Sequence, residues 1–316
     1  MPQRYRPVDL TGLKTHSLTG RKSKVAAAQF GKTHRPGGSF ADFLASLPAI
    51  LAGRELKEIV AAIAGAFHHR RTVILAMGAH VIKVGLNPLI IDLMERGIIS
   101  AVAMNGAGIV HDVEIAMTGQ TSEDVAASLE DGSFGMARET GELLSRAIDR
   151  AGRESRGLGE AVGQTILDQK LPLAHQSILA AGRRLHLPVT VHIAIGTDII
   201  HMHPGFDPAA AGGASHLDFR TLAAVVATLE RGVYLNVGSA VVLPEVFLKA
   251  LTVVRNLGYP LCDITTVNMD FIRHYRPMTN VVSRPTIHGG RGYNLVGHHE
   301  IMLPLLAAGV IEAVGG

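Results

Sequence analysis

One corner between an apolar stretch and an amphipathic stretch carries several side chains able to do chemistry. In the segment AMNGAGIVHDVEIAM, residues 103–117, Asn105 and two glycines precede His111 and Asp112. Glycines let the backbone approach a ligand closely, and free N–H groups at a helix start attract an anion such as phosphate. His111 stands where a G-x-G-x-x-G dinucleotide fingerprint has its third glycine. The corner therefore predicts either part of a nucleotide site or only a tight turn.

The imidazole of His111 is a candidate proton acceptor. We predict a helix from Ile109 onward, which places His111 in its first turn, where the helix dipole disfavours the charged ring. A neutral imidazole can act as a general base. Asp112 and Glu114 suit the same helix end, and their positions alone indicate no more than capping.

A second group lies in GTDIIHMHP, which contains Asp198, His201 and His203. On an extended segment, residues two apart point to the same side, so the two histidines could share a metal ion as in H-x-H hydrolases. A metal needs further ligands. Four other histidines are candidates for them: His111, His192, His216 and His288. A metal hydrolase is therefore kept as an alternative, and we assign no metal ligand.

The elements that must position these groups follow from hydrophobic periodicity. From residue 71, apolar runs of strand length alternate with amphipathic stretches, which is typical of parallel βαβ units. The predicted strands are 71–77, 99–104, 187–195, 233–237 and 263–269. The predicted helices are 87–97 (with Asn87 as N-cap), the one from 109, a helical region over 136–187, and 218–232, 242–258 and 300–310. We predict an α/β fold with a Rossmann-like, doubly wound, mostly parallel sheet and helices on both faces.

Five segments after strands are rich in glycine or histidine: GAHVIKVG, NGAGIVHD, GTDIIHMHPGFD, GSAVV and DFIRHYRP. In an open parallel sheet all strand-to-helix loops lie at the carboxyl edge, so these segments should gather there. That edge is the predicted site. The pairs His68/His69 and His298/His299 are interpreted as surface or oligomer contacts.

Composition and charge limit the function classes. The chain has no apolar run of the roughly 18 residues that a membrane helix needs. A single cysteine, Cys262, and an N-terminus without a signal pattern indicate a cytoplasmic protein. Residues 1–40 contain eight Lys/Arg and one acid, Asp9, so we predict a basic arm over 1–40 and a single nucleotide-binding domain over 41–316. The arm is expected to pack on a neighbouring subunit rather than on nucleic acid.

The ordered series of motifs resembles the deoxyhypusine synthase family, in a divergent bacterial form. The resemblance covers most of the chain, and its segments are TGRKSKVAAAQFGK (19–32), VILAM to VEIAM (73–117), LPVTVHIAIGTDIIHMH (187–203), GVYLNVGSAVV (232–242) and VNM to SRP (267–285). AMNGAGIVHDVE is also faintly similar to the Rossmann-type domain of NAD-dependent ornithine-processing enzymes.

This resemblance implies a tetramer that binds NAD at a subunit interface. It also implies hydride abstraction from spermidine, followed by transfer of an aminobutyl group to a lysine. The implied NAD-binding positions are Gly78, His80, Asn105, Gly106, Ala107, Gly238, Ser239 and Asn268. The implied positions at the polyamine end, and hence the candidate catalytic residues, are His111, Asp112, Asp198 and His203.

Two departures from the family pattern change the expected reaction. Val242 or Leu243 stands in the place of the imine-forming lysine, and Lys249 lies about two helical turns further on. An apolar side chain cannot carry a covalent imine, so a lysine-linked intermediate is not expected. Val110 and His111 replace an acidic pair, which removes negative charge from a cation site.

Three hypotheses remain open from the sequence. The first is an NAD-dependent oxidoreductase or aminoalkyl transferase that abstracts hydride from a polyamine or basic amino acid, without a covalent lysine. The second is an inactive NAD-binding protein. The third is the metal hydrolase that uses His201 and His203. The choice of NAD over NADP is not fixed by the sequence.

Overall fold

Six parallel strands form one sheet in the order β3-β2-β1-β4-β5-β6. The computed structural model describes residues 5–315, so Arg4 of the basic arm lies outside them. The strands are β1 Val73–Met77, β2 Ala101–Asn105, β3 Val189–His192, β4 Val233–Val237, β5 Thr265–Asp270 and β6 Arg291–Val296. Every neighbouring pair is parallel, which confirms the predicted α/β, Rossmann-like class.

Helices cover both faces of the sheet. They are α1 Phe40–Ser46, α2 Leu51–His68, α3 His80–Lys83, α4 Asn87–Glu95, α5 Gly106–Thr118, α6 Val125–Glu130, α7 Arg138–Glu154, α8 Leu158–Asp168, α9 Ile178–Leu185, α10 Pro208–Val226, α11 Val242–Asn256, α12 Tyr275–Pro277 and α13 His299–Gly315. One face packs against α2, α4, α5 and α13, and the other against α11 and much of α10.

The central strands are apolar on both sides because each face has its own core. Val73 and Leu75 of β1 belong to one buried cluster, whereas Ile74 and Ala76 belong to the other. Strands buried on both faces show a nearly continuous apolar run, which explains why VILAM was recognisable as a strand.

Strand β6 was not predicted from the sequence. Its residues RGYNLV include an exposed Arg291 and a glycine, and only Leu295 is fully buried. The strand lies at the edge of the sheet, where it pairs with β5 on one side only. Helix α2 was also not predicted, although Leu56, Ile59 and Ile63 give it a buried stripe.

Two predicted helix starts were wrong in position. The helix expected from Ile109 begins at Gly106, and the side-chain oxygen of Asn105 accepts a hydrogen bond from the Gly108 N–H (3.2 Å). Asn87 is the first residue of α4 rather than its cap, because its amide donates to Asp112 (3.1 Å) and to the Gln176 carbonyl (2.9 Å). The NGAG corner is therefore the first turn of α5.

The buried carboxylate of Asp218 on α10 protects the free edge of β3. Its Oδ2 atom accepts hydrogen bonds from the N–H groups of Val191 in β3 and Gly159 in α8, both at 2.9 Å. An alanine at position 157 would place its Cβ 2.0 Å from Oδ1, so the loop approaches the carboxyl group closely. Burial raises the pKa of Asp218 to about 7. The edge N–H of Val191 is thus satisfied without a seventh strand.

Residues 5–39 run along the surface with only two short 3₁₀ turns, Leu18–Gly20 and Ala27–Gln29. Apart from a half-buried Gln29, all of them are exposed. Within the described part of the chain, no helix has both the length and the apolar character needed to cross a bilayer. The division at residue 40 and the cytoplasmic location stay predictions.

We expect Asp218→Asn to change the pH dependence of stability. The folded-state pKa is raised above the ordinary 3.8, so the folded protein holds a proton that the unfolded chain releases between about pH 4 and 7. The wild type should therefore lose roughly 2–3 kcal/mol of unfolding free energy relative to Asp218→Asn between pH 5 and 8. Urea unfolding at both pH values measures this. Asp92→Asn, on the exposed side of α4, serves as control. If the unfolding free energy changed equally with pH in the wild type and both variants, the raised pKa of Asp218 would be contradicted.

Candidate active site

Two glycines meet where the strand order reverses. After β1 the chain turns toward the face covered by α4, and after β4 it turns toward the face covered by α11. An alanine at position 78 would place its Cβ 2.0 Å from the Gly238 carbonyl oxygen, and Gly238 has a positive φ of 64°. Ligands of open α/β sheets bind in the crevice formed at such a reversal. Gly78 and Gly238, both predicted as cofactor positions, meet at that reversal.

An aromatic group lies beside the glycine pair. The rings of His80, Phe271 and His299 have centroid separations of 5.3 to 5.7 Å, and the Asp270 carboxylate lies 3.7 Å from Nε2 of His299. His299 is 1% exposed, so interpreting it as a surface residue was wrong. Neither of its ring nitrogens has a hydrogen-bond partner among the described residues. Burial lowers the pKa of His299 while the charge of Asp270 opposes this.

His80 was a predicted cofactor position, whereas Asp270, Phe271 and His299 were not assigned from the sequence, although DFIRHYRP was predicted to reach the site. Asp270 ends β5 and Phe271 follows it, which is the position at which a parallel strand delivers functional groups. His299 begins α13, which follows the unpredicted strand β6. Without β6 in the sequence prediction, nothing indicated that His299 lies at the carboxyl edge.

The start of α5 was predicted to bind a ligand anion. In the structure it lies against a carboxylate of the same chain. An alanine at position 106 would place its Cβ 2.0 Å from Oδ2 of Asp198. Asp198 is buried, and this burial raises its pKa, whereas N–H groups of Ala194 and Ala107 favour its charged form. Gly106 therefore makes room for Asp198, and the start of α5 already has its negative partner.

His111 belongs to a hydrogen-bonded chain on α5. Its Nδ1 atom lies 2.6 Å from the Thr121 hydroxyl, which donates to the Glu114 carboxylate (2.5 Å), and Thr140 donates to the other Glu114 oxygen (3.2 Å). Because the Thr121 proton goes to Glu114, the Thr121 oxygen accepts from Nδ1–H of His111. Nε2 of the ring is then left as the basic nitrogen.

The neutral state of His111 has a cause other than the predicted one. His111 is the sixth residue of α5, beyond the first turn where the helix dipole acts. Burial lowers its pKa to about 4, and the positive charge of Lys83 adds to the effect. The ring is therefore uncharged at neutral pH, as predicted from the sequence for a different reason.

His203 lies next to this group but is held by the main chain. Its Nε2 donates to the Gly135 carbonyl at 2.9 Å, and an alanine at position 141 would place its Cβ 2.0 Å from Nδ1. Gly141 follows Thr140 on α7, so α7 contacts both His203 and the Glu114 carboxylate. Both nitrogens of His203 face protein atoms, which leaves His111 as the better placed base.

Asp112 points away from the other candidate catalytic residues. Its fully buried carboxylate accepts hydrogen bonds from the Ser177 hydroxyl (2.5 Å) and the N–H groups of Ile178 (2.8 Å) and Leu179 (3.3 Å), at the start of α9. Burial raises the pKa of Asp112 to about 6 against these bonds. Its contacts fix α9 to α5, which is a structural role.

Asn268 is part of a buried amide ladder across three strands. Asn236 donates to Asn268 at 2.8 Å, and Asn268 donates to Asn294 at 2.8 Å. Asn236 also donates to the carbonyl of Ser239 (2.9 Å), so the ladder holds the turn after β4 in shape. Asn268 is 1% exposed and reaches the cofactor crevice only through these neighbours.

The two histidines of the metal hypothesis point in different directions. Residues Ile199–Met202 form a 3₁₀ turn, so the two-residue alternation of an extended chain does not apply. Nδ1 of His201 accepts from the Gly196 N–H (3.1 Å), and its ring packs on Phe206. Over residues 5–315, no three His, Cys, Asp or Glu side chains converge as metal ligands.

No family model matches the chain, and no curated protein matches it. Solved structures do. A putative deoxyhypusine synthase from Entamoeba histolytica has a TM-score of 0.54 at 11% identity, covering 89% of this chain and 96% of that chain. A putative LOR/SDH protein from Methanococcus maripaludis S2 has a TM-score of 0.50 at 14% identity, covering 88% and 71%.

AgrE, solved as a ternary complex with ornithine and NAD+, has a TM-score of 0.53 at 15% identity and covers 85% of this chain. The chain spans about a third of the AgrE and ArgZ chains that it matches. The fold is that of a deoxyhypusine synthase-like protein.

The position of the family lysine is apolar in the structure as well. Val242 and Leu243 begin α11, and Leu243 is fully buried. Lys249 is exposed and pairs with Glu245 one turn earlier on the same helix. Among these three residues, only Lys249 has an amine, and Glu245 holds it at the protein surface.

We expect Thr121→Val and Glu114→Gln to change the tautomer of His111. Valine removes the acceptor of Nδ1–H, and glutamine can donate to Thr121 and so reverse the direction of the chain. Both changes should shift the ring toward the Nε2–H form. Long-range ¹H–¹⁵N NMR correlations of the imidazole report the tautomer. Thr118→Val, whose hydroxyl bonds only main-chain groups, should leave the tautomer unchanged. An Nδ1–H ring in every variant would refute the hydrogen-bonded chain.

Proposed function

We propose that this protein is an NAD-dependent enzyme that removes a hydride from the carbon beside an amine nitrogen, in a polyamine or a basic amino acid. The observation that carries the proposal is the joint placement, along one sheet edge, of the Gly78–Gly238 crevice and the neutral imidazole of His111. The reaction then ends either in oxidation of the substrate or in transfer of its alkyl group to a small free amine, because no lysine is placed to form a covalent imine.

The residues around the crevice fit a dinucleotide. Gly78 and Gly238 carry no side chain between the two turns; Ser239 directly follows Gly238, and His80 lies two residues after Gly78. The buried Oδ1 of Asn236 has no hydrogen-bond partner among the described residues, and the buried ring of His299 faces the Asp270 carboxylate at 3.7 Å and the main chain of Met269. Unpaired polar atoms at a crevice favour a polar ligand there, because burying them unpaired costs roughly 1–3 kcal/mol each. When bound, NAD supplies the hydride acceptor.

His111 would accept the proton that the reaction releases and pass it on to solvent, because a ring whose pKa is about 4 does not keep a proton at neutral pH. Loss of hydride from carbon leaves a C=N bond and a positively charged nitrogen, whose N–H is more acidic than that of the starting amine. The Nε2 lone pair of His111 accepts that proton, while Thr121 and Glu114 hold Nδ1–H. General-base assistance of this kind contributes roughly 10²- to 10⁴-fold in rate. Water or a free amine then adds to the C=N carbon.

An inactive NAD-binding protein is the second candidate. Both nitrogens of His203 are engaged by the chain, Asp198 is buried against Gly106, and Asp112 is buried against the start of α9, so three of the four candidate catalytic residues are held by protein atoms. In that case the crevice would bind NAD and no substrate would turn over.

The decisive experiment mixes purified protein with NAD and with ornithine, lysine, putrescine or spermidine. We expect NAD binding by calorimetry, together with reduced-nicotinamide absorbance or a new amine product by mass spectrometry. His111→Ala should bind NAD with little change and lose at least 10²-fold in turnover. Binding without turnover in the wild type would favour the second candidate, and absence of NAD binding would refute the crevice assignment.

Gly78→Ala and Gly65→Ala form a matched pair for the crevice. The Cβ at 78 meets the Gly238 carbonyl oxygen, whereas the Cβ at 65, on α2, has no atom within 4 Å. We therefore expect only Gly78→Ala to abolish NAD binding.

We further propose that the protein is a homo-oligomer whose carboxyl edge lies at a subunit interface. The resemblance to the deoxyhypusine synthase family implies a tetramer. Apolar side chains at or after the carboxyl ends of β4, β5 and β6 are exposed, namely Val241 (48%), Phe271 (44%), Tyr275 (74%) and Val296 (55%). An apolar cluster of this kind on a soluble surface marks an interaction site.

Sedimentation analysis should give a mass above that of one chain, and Tyr275→Glu with Val296→Glu should lower it by placing charges in the interface. Leu257→Glu, at the opposite end of α11, should not change it. A wild-type monomer at micromolar concentration would contradict the proposal.

A further inference from the structure

Residues 121–136, between α5 and α7, form an acidic segment on the surface. The segment carries Glu123, Asp124, Glu130 and Asp131 and no lysine or arginine. Three of these carboxylates accept hydrogen bonds from main-chain N–H groups, and none of the four forms an ion pair with a described residue. Because an N–H donor is neutral, the acidic segment keeps its negative charges.

Helix α6, inside the acidic segment, has apolar side chains but no packing partner. None of its six residues is buried. Val125 (48% exposed) and Leu129 (66% exposed) are four residues apart, so they lie on one side of the helix. Helices in proteins owe most of their stability to the packing of an apolar face. A six-residue helix without such packing indicates that another surface covers α6 in the assembled protein.

The basic arm has the complementary properties. Seven lysines and arginines and one acid, Asp9, lie among residues 5–39. Residues 6–28 make hydrogen bonds only within the arm, which reaches the body at Gln29, whose carbonyl accepts from the Ala49 N–H (2.9 Å). Six apolar side chains of the arm are each more than half exposed: Val8, Leu10, Leu13, Leu18, Val25 and Phe30.

We infer that the arm of one copy of this chain binds the acidic segment of a second copy. The positive side chains of the arm match the carboxylates of the segment, and its apolar side chains cover Val125 and Leu129. The arm of the same chain leaves α6 uncovered, so the covering arm comes from the partner. Each copy has one arm and one acidic segment, so two copies can exchange arms symmetrically.

A nucleic acid explains these features less well. Its phosphates would match the charge of the arm, but they would be repelled by the acidic segment and would leave the apolar side of α6 uncovered. The exposed apolar side chains of the arm also suit a protein surface better than phosphates.

The exchanged arm would lie beside the candidate base. The acidic segment begins at Thr121, whose hydroxyl bonds His111, and it includes the Gly135 carbonyl that accepts from His203. The exchange therefore adds a second contact to the proposed homo-oligomer and brings a partner chain next to the candidate active site. The inference rests on the proposed homo-oligomer and is independent of the proposed reaction.

Two charge-reversed proteins test the exchange. One carries Arg21→Glu and Lys22→Glu in the arm, and the other carries Glu130→Lys and Asp131→Lys in the acidic segment. Each alone should self-associate at least about 10-fold more weakly than the wild type in sedimentation, and its α6 amides should lose protection in hydrogen exchange. An equimolar mixture should recover both properties, because the acidic arm of one protein then meets the basic segment of the other.

Arg220→Glu on α10 and Glu312→Lys on α13 are the matched controls, because both residues are exposed and lie outside the arm and the acidic segment. Neither control should change association. Charge-reversed proteins that associate like the wild type would refute the exchange and leave the interface at the carboxyl edge intact.

Weakened proteins that do not recover on mixing would also refute the exchange, and binding of single-stranded DNA by the wild type would then assign the arm to nucleic acid. A monomeric wild type would refute both the exchange and the homo-oligomer. NAD binding and turnover are measured separately, so they decide the proposed reaction whichever way the arm binds.

Discussion

The approach of Gly78 to the carbonyl oxygen of Gly238 is the constraint on which the rest of the site depends. The two turns leave adjacent strands for opposite faces of the sheet, and they can meet only because neither carries a side chain. Once they meet, the residues that follow them have little freedom. Ser239 is fixed through its carbonyl by Asn236, and the Gly238 turn leaves just enough room for the ring of His299.

Three buried aspartates show how the fold assigns similar side chains to different tasks. Asp112 accepts main-chain N–H groups at the start of α9, Asp198 lies against the start of α5, and Asp218 accepts from the edge of β3 and from α8. Burial raises the pKa of each of them. A raised carboxylate pKa is common at active sites, but here geometry separates the groups, because only Asp198 lies at the carboxyl edge.

The sequence predicted the central strands well because both faces of each are buried, and the carboxyl-edge rule then identified the loops. It failed at β6, whose alternation is disturbed by Arg291 and by exposure at the sheet edge. The sequence also did not predict the contacts of two side chains: Asp112 bonds the start of α9, and His203 contacts Gly135 and Gly141. Such contacts depend on long-range packing, which local spacing does not encode.

The two departures from the deoxyhypusine synthase pattern both remove groups that take part in the reaction of that family. An imine needs an unprotonated lysine amine, and carboxylates beside a polyamine balance its positive charge. In this chain Leu243 is buried and apolar, and the region of the family's acidic pair carries Val110 and a neutral His111. Three carboxylates remain at this edge, those of Glu114, Asp198 and Asp270. Each accepts hydrogen bonds from neutral hydroxyl or N–H groups, so the edge keeps negative charge although the acidic pair is absent.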